Sequence, residues 1–539
     1  MTMKYTKSKK IAFFLVALML VMLTLQTCKD YYFRSNYKDA NTLLHETKNL
    51  ETKLFLKAHL KNGDICILKD IWQIDTLKNV VSGYGDRYDF NRNRTFEGNI
   101  SIPIDSVAIF ETNKKLGNTE TGRIAALSIM SGVNLILGIV CVTVPKACFG
   151  SCPTFYINEN DNFHFADAEG FSTAISPSME YFDIDALNNL PLSSNTFSIT
   201  MKNEALETHC VNNVKLLAYP RSKGERVYQS PTNNFYLCEN NYPISNATGN
   251  EGNITAKLQS DDRNERFSLA DENNLNSKEE IFFNFDKVKN PNDLGLIVNF
   301  RQTLMTTYFI YSAIGYMGDE VGDIFAKMET DNQTQNQLKN GIKKELGNID
   351  VYVWNEKESD WVLQEGFYET GPIAFNHQII PLTNIASDSD VKLKLVINKG
   401  LWRIDYVALT NIKQKVEPTE IDPSKILNKG MIDTNALAHI NKPDKYLISM
   451  PGSEYEFDFV LPKENQDYEL FLYSKGYYLE WMREHWIKDK DLLKLRQMVK
   501  SPKKYLSEEA NAYKNYETTM EDAFWNSKID TKLFSYHEN

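Results

Sequence analysis

The sequence predicts a mainly β protein with added α-helices, and three observations support this. Short runs of alternating apolar and polar residues recur along the chain, separated by turns that contain Gly and Asn. Aromatic residues make up 12% of the 539 residues, and aromatic side chains favour strands. An uncharged apolar run at Ile124–Val144 and amphipathic segments near the C-terminus supply the helices.

The expected order is a small N-terminal β barrel, an apolar helix, and β-sandwich-type domains with a helical insertion and C-terminal helices. A chain of 539 residues has room for several such units. The boundaries that the patterns predict are a signal at 1–28, a tether at 29–53, a small β domain at 54–118, an apolar helix at 119–146, a β-rich domain at 147–280, a β-sandwich at 281–462 with a helical insertion near 300–346, and a C-terminal helical region at 463–539.

Composition argues against one class of partner. The formal net charge is -11 at pH 7, with 60 Lys and Arg against 71 Asp and Glu. Nucleic-acid-binding domains cluster basic residues on one face, and no basic stripe is visible in this sequence. We therefore expect no nucleic acid among the partners.

The N-terminus has the pattern of an export signal. Four lysines precede the apolar run Ile11–Leu25, which is shorter than the roughly 20 residues that a membrane span needs. Cys28 follows this run and resembles the lipobox cysteine of bacterial lipoproteins, although Gln26 occupies a position usually held by a small residue. The resemblance implies lipidation of Cys28 and a membrane-anchored place in the cell envelope, at the outer membrane or the periplasmic face. The alternatives are an uncleaved signal anchor and cleavage elsewhere.

The cysteine count agrees with export. There are seven cysteines, so setting Cys28 aside leaves an even number in a compartment that permits disulfides. Cys148 and Cys152 are the nearest pair, and Cys210 with Cys238 is the next candidate disulfide. Packed thiols remain the alternative. Because three residues separate Cys148 from Cys152 and no second Cys or His cluster lies nearby, we expect no metal site and no cofactor.

The apolar run Ile124–Val144 is long enough to cross a membrane. However, it contains several polar residues, and the Lys and Arg residues that flank its N-terminal side would place that side in the cytoplasm, which contradicts export. The sequence thus favours a buried or membrane-associated helix, and a transmembrane helix is the alternative.

Three stretches carry a resemblance to a group of bacterial proteins. They are Cys148–Tyr156 (CFGSCPTFY), Asp167–Phe171 (DAEGF) and Asn203–His209 (NEALETH). They resemble uncharacterised bacterial envelope proteins in which a Ser-Cys-Pro turn follows an apolar segment and opens a β domain. The resemblance extends over most of Cys148 to Trp525 and implies an envelope location and this domain order. It implies no activity, so it provides no catalytic residues.

A second resemblance concerns the sandwich. Val391–Ile397 and Gly400–Val407 are similar to the closing strands of galactose-binding-like jelly rolls, which implies carbohydrate binding. Trp354, Trp361 and Trp402 could stack on sugar rings, with burial in the sandwich core as the alternative for all three. Arg403 and Asp405 alternate with Trp402 and so lie on the other face of the strand. The predicted ligand-binding set is Trp361, Trp402, Arg403 and Asp405.

Two segments read as helices. Phe300–Met317 is apolar on nearly all sides and predicts a core helix. From Gly476 onward, aromatic residues fall on one helical face, with Tyr478, Trp481 and Trp486 among them.

The sequence predicts a binding protein rather than an enzyme. It contains no G-x-S-x-G, H-E-x-x-H or P-loop motif, and no catalytic residue can be named. We therefore expect a non-enzymatic cell-envelope lipoprotein that acts as a binding or scaffolding module, with a glycan or an envelope protein as its partner. The alternative is a glycan-active envelope hydrolase whose catalytic residues are unidentified.

Overall fold

The structure of the protein is a computed structural model. It describes residues 31–37, 56–116, 152–187, 195–325, 341–449 and 452–531, with short gaps inside these ranges. Strands dominate these residues and several helices follow near the C-terminus, so the prediction of a mainly β protein with β-sandwich-type domains is confirmed.

The elements are numbered in chain order. The strands are β1 (Tyr31–Tyr37), β2 (Leu56–Leu60), β3 (Ile65–Asp75), β4 (Val80–Tyr88), β5 (Arg94–Pro103), β6 (Val107–Leu116), β7 (Thr154–Tyr156), β8 (Ala168–Glu169), β9 (Tyr181–Ala186), β10 (Thr196–Lys202), β11 (Glu207–Pro220), β12 (Arg226–Gln229), β13 (Phe235–Pro243), β14 (Asn246–Gly249), β15 (Gly252–Asn253), β16 (Arg266–Phe267), β17 (Lys278–Phe285), β18 (Leu294–Gln302), β19 (Ile349–Asn355), β20 (Asp360–Phe367), β21 (Asn376–Pro381), β22 (Val391–Asn398), β23 (Trp402–Val416), β24 (Thr419–Ile421), β25 (Lys425–Asn428), β26 (Met431–Ile432), β27 (Leu447–Ser449), β28 (Glu454–Val460) and β29 (Tyr468–Glu480). The helices are α1 (Thr255–Leu258), α2 (Met305–Met317), α3 (Thr434–Ile440), α4 (Leu492–Lys500), α5 (Pro502–Glu517) and α6 (Met520–Asn526).

The N-terminal unit is a six-stranded antiparallel sheet, sheet I, in the order β1-β6-β2-β3-β4-β5. Alternate residues of its strands bury Leu56, Leu68, Trp72 and Phe110 in one small core. The first strand, Tyr31–Tyr37, lies within the stretch that the sequence assigns to a tether, and it pairs with β6 along its whole length. The polar composition of this stretch does not prevent strand formation, because the partner strand satisfies its backbone groups.

A first sandwich is built from two widely separated parts of the chain. Sheet II has the order β26-β25-β28-β10-β7-β8, and sheet III has the order β24-β11-β29-β9 with β27 also paired to β11. The two sheets share one hydrophobic core, whose members include Phe155, Met201, Val214, Phe457 and Leu472. Residues 154–220 and 419–480 therefore form one packing unit.

The second sandwich occupies the chain between these two parts. Sheet IV has the order β13-β12-β21-β18-β23-β16, and sheet V has the order β15-β14-β17-β22-β19-β20. This arrangement differs from the linear division expected at residues 280 and 462. The antiparallel pairing of β11 with β29 causes the difference, because it joins two distant parts of the chain in one sandwich. Local sequence patterns cannot predict a pairing between such distant segments.

Two predicted helices begin as strands. The helix expected from Phe300 begins at Met305, because Phe300 to Gln302 continue β18 and pair with β23. The helix expected from Gly476 is the end of β29, which pairs with β11 as far as Glu480. Gly476 is needed for close approach rather than for a helix start, since a Cβ there would lie 2.3 Å from the Cys210 carbonyl oxygen.

The helices extend the core of the second sandwich. Tyr308 of α2, Tyr505 and Tyr513 of α5, and Phe524 of α6 join the apolar residues of sheets IV and V in one cluster. The Tyr308 hydroxyl donates a hydrogen bond to the buried Glu509 carboxylate. The C-terminal aromatic residues thus dock against the body of the protein.

Several sequence expectations lie outside the described residues. These are the signal at 1–28 with Cys28, most of the tether, the apolar helix at 119–146, and Cys148. Within the described ranges, no helix is both long and apolar enough to cross a membrane.

A pair of tryptophan variants tests the division between core and surface. Trp402 exposes 1% of its surface and packs edge-on against Phe300. We expect Trp402→Ala to lower the free energy of unfolding by about 3–5 kcal/mol, because it leaves a cavity in the core. Trp361→Ala removes a half-buried ring and should cost about 1 kcal/mol. Urea denaturation of both variants measures the difference, and equal losses would contradict it.

Candidate functional site

The outer face of sheet V carries four aromatic side chains, Phe282, Tyr352, Trp354 and Trp361, which we call the aromatic face. Trp354 and Trp361 are direct cross-strand partners in β19 and β20. Their ring centroids lie 5.4 Å apart with an angle of 67° between the ring planes. The Phe282 ring centroid lies 5.8 Å from that of Trp361. The rings therefore form a contiguous platform on the sheet.

Strand alternation places these rings outside the sandwich. Successive side chains of a strand point to opposite faces. In β17 the neighbours of Phe282, Ile281 and Phe283, are buried in the core, while Phe282 itself exposes 39% of its surface. In β19 the buried Val353 separates Tyr352 from Trp354. One set of alternating side chains thus fills the core, and the other set, which includes the aromatic face, points towards solvent.

Charged groups lie among the rings. Lys394 Nζ is 5.1 Å from the Tyr352 ring centroid and 5.3 Å from that of Trp361. The same ammonium group donates to Glu280 Oε1 at 2.9 Å. Such cation–π contacts hold the ammonium group over one face of each of these rings. The rim also supplies polar groups for hydrogen bonds next to the aromatic platform.

A second ion pair borders the face. Lys392 Nζ lies 3.3 Å from Glu356 Oε1, and both side chains are about half exposed. Each lysine of the face therefore has a carboxylate partner, and the local charge balances. A partly exposed aromatic platform with hydrogen-bonding groups at its edge can bind a flat molecule that has one apolar surface and polar groups around it.

Trp402 does not belong to this face, and its predicted role in ligand binding is wrong on geometric grounds. It lies between sheets IV and V in the main core, where it contacts Phe300 at 5.8 Å between ring centroids. In its strand, β23, the side chains that point into this core are Trp402, Ile404 and, beyond a bulge in the strand, Val407. A ligand cannot reach the indole without opening the sandwich.

Asp405 is buried on the other face of sheet IV, in a group of polar side chains. Asn299 Nδ2 donates to Asp405 Oδ2 at 3.2 Å and to Asp261 Oδ1 at 2.9 Å. Asp405 exposes none of its surface. His377 Nδ1 is 3.9 Å from Asp261 Oδ2. The amide of Asn299 thus holds two carboxyl groups together and fastens the segment around Asp261 to the sheet.

Arg403 is also engaged in this region. Its Nε donates to Glu521 Oε1 at 2.7 Å, and its guanidinium lies 4.3 Å from the centroid of the Phe267 ring. The neighbouring Arg301 makes two hydrogen bonds with Glu265, at 2.6 and 2.7 Å. Two arginines therefore tie helix α6 and the segment before β16 to sheet IV. The structure brings Arg403 and Asp405 together, apart from Trp361 and Trp402.

The burial of these groups shifts their proton affinities. Loss of hydration, reinforced by the nearby Asp261, raises the pKa of Asp405 to about 7. Burial also disfavours the charged imidazole and lowers the pKa of His377 to about 4. The carboxyl of Asp405 therefore keeps its proton well above the usual pH range for an aspartic acid.

The cysteines of the described residues are buried thiols. Cys66, Cys152, Cys210 and Cys238 carry no disulfide, so the structure does not contain the pairing of Cys210 with Cys238. The two residues belong to different cores, Cys210 to the first sandwich and Cys238 to a small cluster on sheet IV. Burial raises the pKa of the Cys238 thiol to about 12, which disfavours the reactive thiolate.

Sequence reasoning singled out Trp361 but did not include Phe282, Tyr352 and Lys394. The alternation of each strand could have indicated part of this face. Phe282 lies on the same side of its strand as Glu280, and Lys394 lies on the same side as Lys392. Which strands are neighbours in the sheet could not be read from that alternation. No group of three or more His, Cys, Asp and Glu residues suited to a metal ion occurs in the part of the chain that the structure describes.

Comparison with known proteins gives little similarity. No protein-family model matches the chain, and no curated protein matches it. Among solved structures, the chain is similar to one described as "Crystal structure of BuGH86wt in complex with neoagarooctaose". The identity is 8%, the match covers 43% of this chain and 34% of that chain, and the TM-score is 0.17. A similarity this low supports no conclusion about fold or activity.

The raised pKa of Asp405 predicts a pH-dependent effect of Asp405→Asn. The unfolded carboxyl titrates near pH 4 and the folded one near pH 7, so the folded state binds the extra proton between these values. Wild-type stability from this group therefore falls as the pH rises through that window. We expect the free energy of unfolding of the variant, relative to wild type, to increase between about pH 4.5 and about pH 8. Urea denaturation at both values measures it, and a constant difference would refute the prediction.

Proposed function

We propose that this protein is a non-enzymatic, glycan-binding module of the cell envelope, and that the aromatic face of sheet V is its sugar-binding surface. The observation that carries the proposal is the cross-strand pair Trp354 and Trp361, which is extended by Phe282 on the outer face of a rigid sheet. Contiguous apolar patches on a protein surface often mark binding sites.

The geometry suits a sugar for a physical reason. One face of a pyranose ring presents C–H groups, while its edge carries hydroxyls. Stacking on an indole covers the C–H surface, and the hydroxyls can bond to polar groups beside the ring. Glu280 and Lys394 offer an acceptor and donors at that edge.

The charge balance of the face favours neutral glycans. Lys394 is paired with Glu280, and Lys392 is paired with Glu356. A sulfated or carboxylated sugar would have to compete with these carboxylates for the lysines, and would gain little net attraction. A neutral oligosaccharide displaces only water from the platform.

The aromatic face gives a direct prediction. In a glycan array with the full-length protein, we expect saturable binding to neutral oligosaccharides, and we expect Trp361→Ala and Trp354→Ala each to weaken it at least tenfold. Loss of stacking area accounts for a change of this size, because about 1.4 kcal/mol corresponds to tenfold. Titration calorimetry on the best array ligand measures the change.

Tyr181→Ala is the matched control, because Tyr181 is an aromatic residue that exposes 46% of its surface outside sheet V. It should bind like wild type. Equal binding by wild type and both tryptophan variants would reject the aromatic face as the site. Turnover of a glycan by the full-length protein would replace the binding function with the alternative, an envelope hydrolase.

The envelope location rests on the N-terminal pattern, and Cys28 is the residue that tests it. In cells fed a palmitate analogue, we expect labelled wild-type protein and no label in Cys28→Ser, because only the thiol can carry the lipid. The matched control is Cys66→Ser, whose thiol is buried in the core of sheet I and should not affect labelling. Label that persists in Cys28→Ser would contradict lipidation at this residue.

A further inference from the structure

A half-enclosed apolar cavity lies beside helix α2, and none of its lining residues belongs to the aromatic face. Its volume is about 170 Å³. The wall from α2 contains Phe309, Ala313 and Met317, and the opposite wall contains Leu346 and Met498. Well-packed cores leave few voids larger than a water molecule. A cavity of this size, lined mainly by apolar side chains, has room for a ligand.

One end of the cavity is polar. A smaller chamber of about 30 Å³ adjoins it, and both are lined by Thr173, Gln302, Thr306 and Ile310. The chamber is also lined by Cys152 and Glu169, which belong to the first sandwich. The two spaces together therefore have an apolar body and a small hydrogen-bonding end at the junction of the two sandwiches.

Glu169 is fixed at that end by the backbone of the second sandwich. Its Oε2 accepts hydrogen bonds from the N–H groups of Ile373 at 2.5 Å and Ala374 at 3.0 Å. Its Oε1 accepts from Cys152 Sγ at 3.2 Å. Gly371 makes this approach feasible, because a Cβ there would lie 1.5 Å from Oε1. The carboxyl group is thus held in place without a ligand.

The chemistry of the chamber excludes some head groups. Burial raises the pKa of the Cys152 thiol well above its usual value, and Glu169 adds to this, so the sulfur is a hydrogen-bonding group rather than a nucleophile. Asp185 does not line the chamber, but its Oδ2 accepts from the Glu169 N–H at 3.0 Å and so helps to position Glu169. A carboxylate or phosphate head would meet the Glu169 carboxyl group, whereas a hydroxyl can donate to or accept from it.

We propose that this cavity binds a neutral amphiphile, with its hydroxyl head at Cys152, Glu169 and Gln302 and its aliphatic chain along helix α2. The proposal is independent of glycan binding at sheet V. A cavity of about 150 Å³ lined by apolar residues can hold benzene, so a chain of about six to eight carbons matches the enclosed volume.

Titration calorimetry of the full-length protein with 1-octanol tests the site. We expect one saturable site, and affinity that falls about fourfold for each methylene removed from the alcohol. Ala313→Phe places a ring inside the cavity and should weaken octanol binding at least tenfold. The control is Ala512→Phe, at a half-buried position on α5 that does not line the cavity. No saturable binding, or equal affinity of wild type and Ala313→Phe, overturns the proposal.

Glu169→Gln tests the polar end separately. The amide oxygen can replace Oε2 and keep both backbone hydrogen bonds, so the junction should stay folded. In wild type we expect octanol to bind at least tenfold more tightly than octanoate at neutral pH. The variant should bind octanoate more tightly than wild type does, so its preference for octanol over octanoate should be smaller. Equal binding of octanol and octanoate by wild type would overturn the assignment of the head group.

Discussion

The antiparallel pairing of β11 with β29 is the interaction on which the rest of the structure depends. It runs from Glu207 opposite Glu480 to Pro220 opposite Tyr468, with one irregularity between Val211 and Asn213. Because the two strands flank the whole second sandwich in sequence, this ladder closes the first sandwich around a large insertion. The loop-closure entropy of such a pairing is offset only when both sandwich cores form.

Buried charge joins the two sandwiches once they have formed. The Glu169 carboxylate from sheet II caps two backbone N–H groups of the second sandwich. Beyond helix α6, Lys528 Nζ donates to Glu204 Oε2 at 3.0 Å and so contacts the first sandwich. Groups of this kind cost desolvation energy and contribute mainly by fixing one relative arrangement.

The three tryptophans of the second sandwich show how one pattern yields opposite outcomes. Trp354, Trp361 and Trp402 all occur in alternating strands, and all three were candidates for stacking on a sugar. Trp402 has the phase of the core, whereas Trp354 and Trp361 have the phase of the solvent face. Alternation divides the residues of each strand between two faces, but only the packing of sheet V against sheet IV determines which face points inward. The same packing placed Arg403 and Asp405 on the far side of sheet IV.

The sequence by itself determined the class of fold. The alternation of polar and apolar residues in Lys278–Phe285 and Val391–Ile397 matches the exposed and buried positions of β17 and β22, because the period of a strand is a local property. Tertiary structure decided the rest. Tyr477 to Glu480 form a strand rather than a helix because β11 supplies their backbone partners. The aromatic face unites Phe282 with Trp361, and the acidic end of the cavity unites Cys152 and Glu169 with Gln302, because sheet order and sandwich packing bring distant segments together. Neither the aromatic face nor the acidic end of the cavity can be predicted from the residues that are adjacent in sequence.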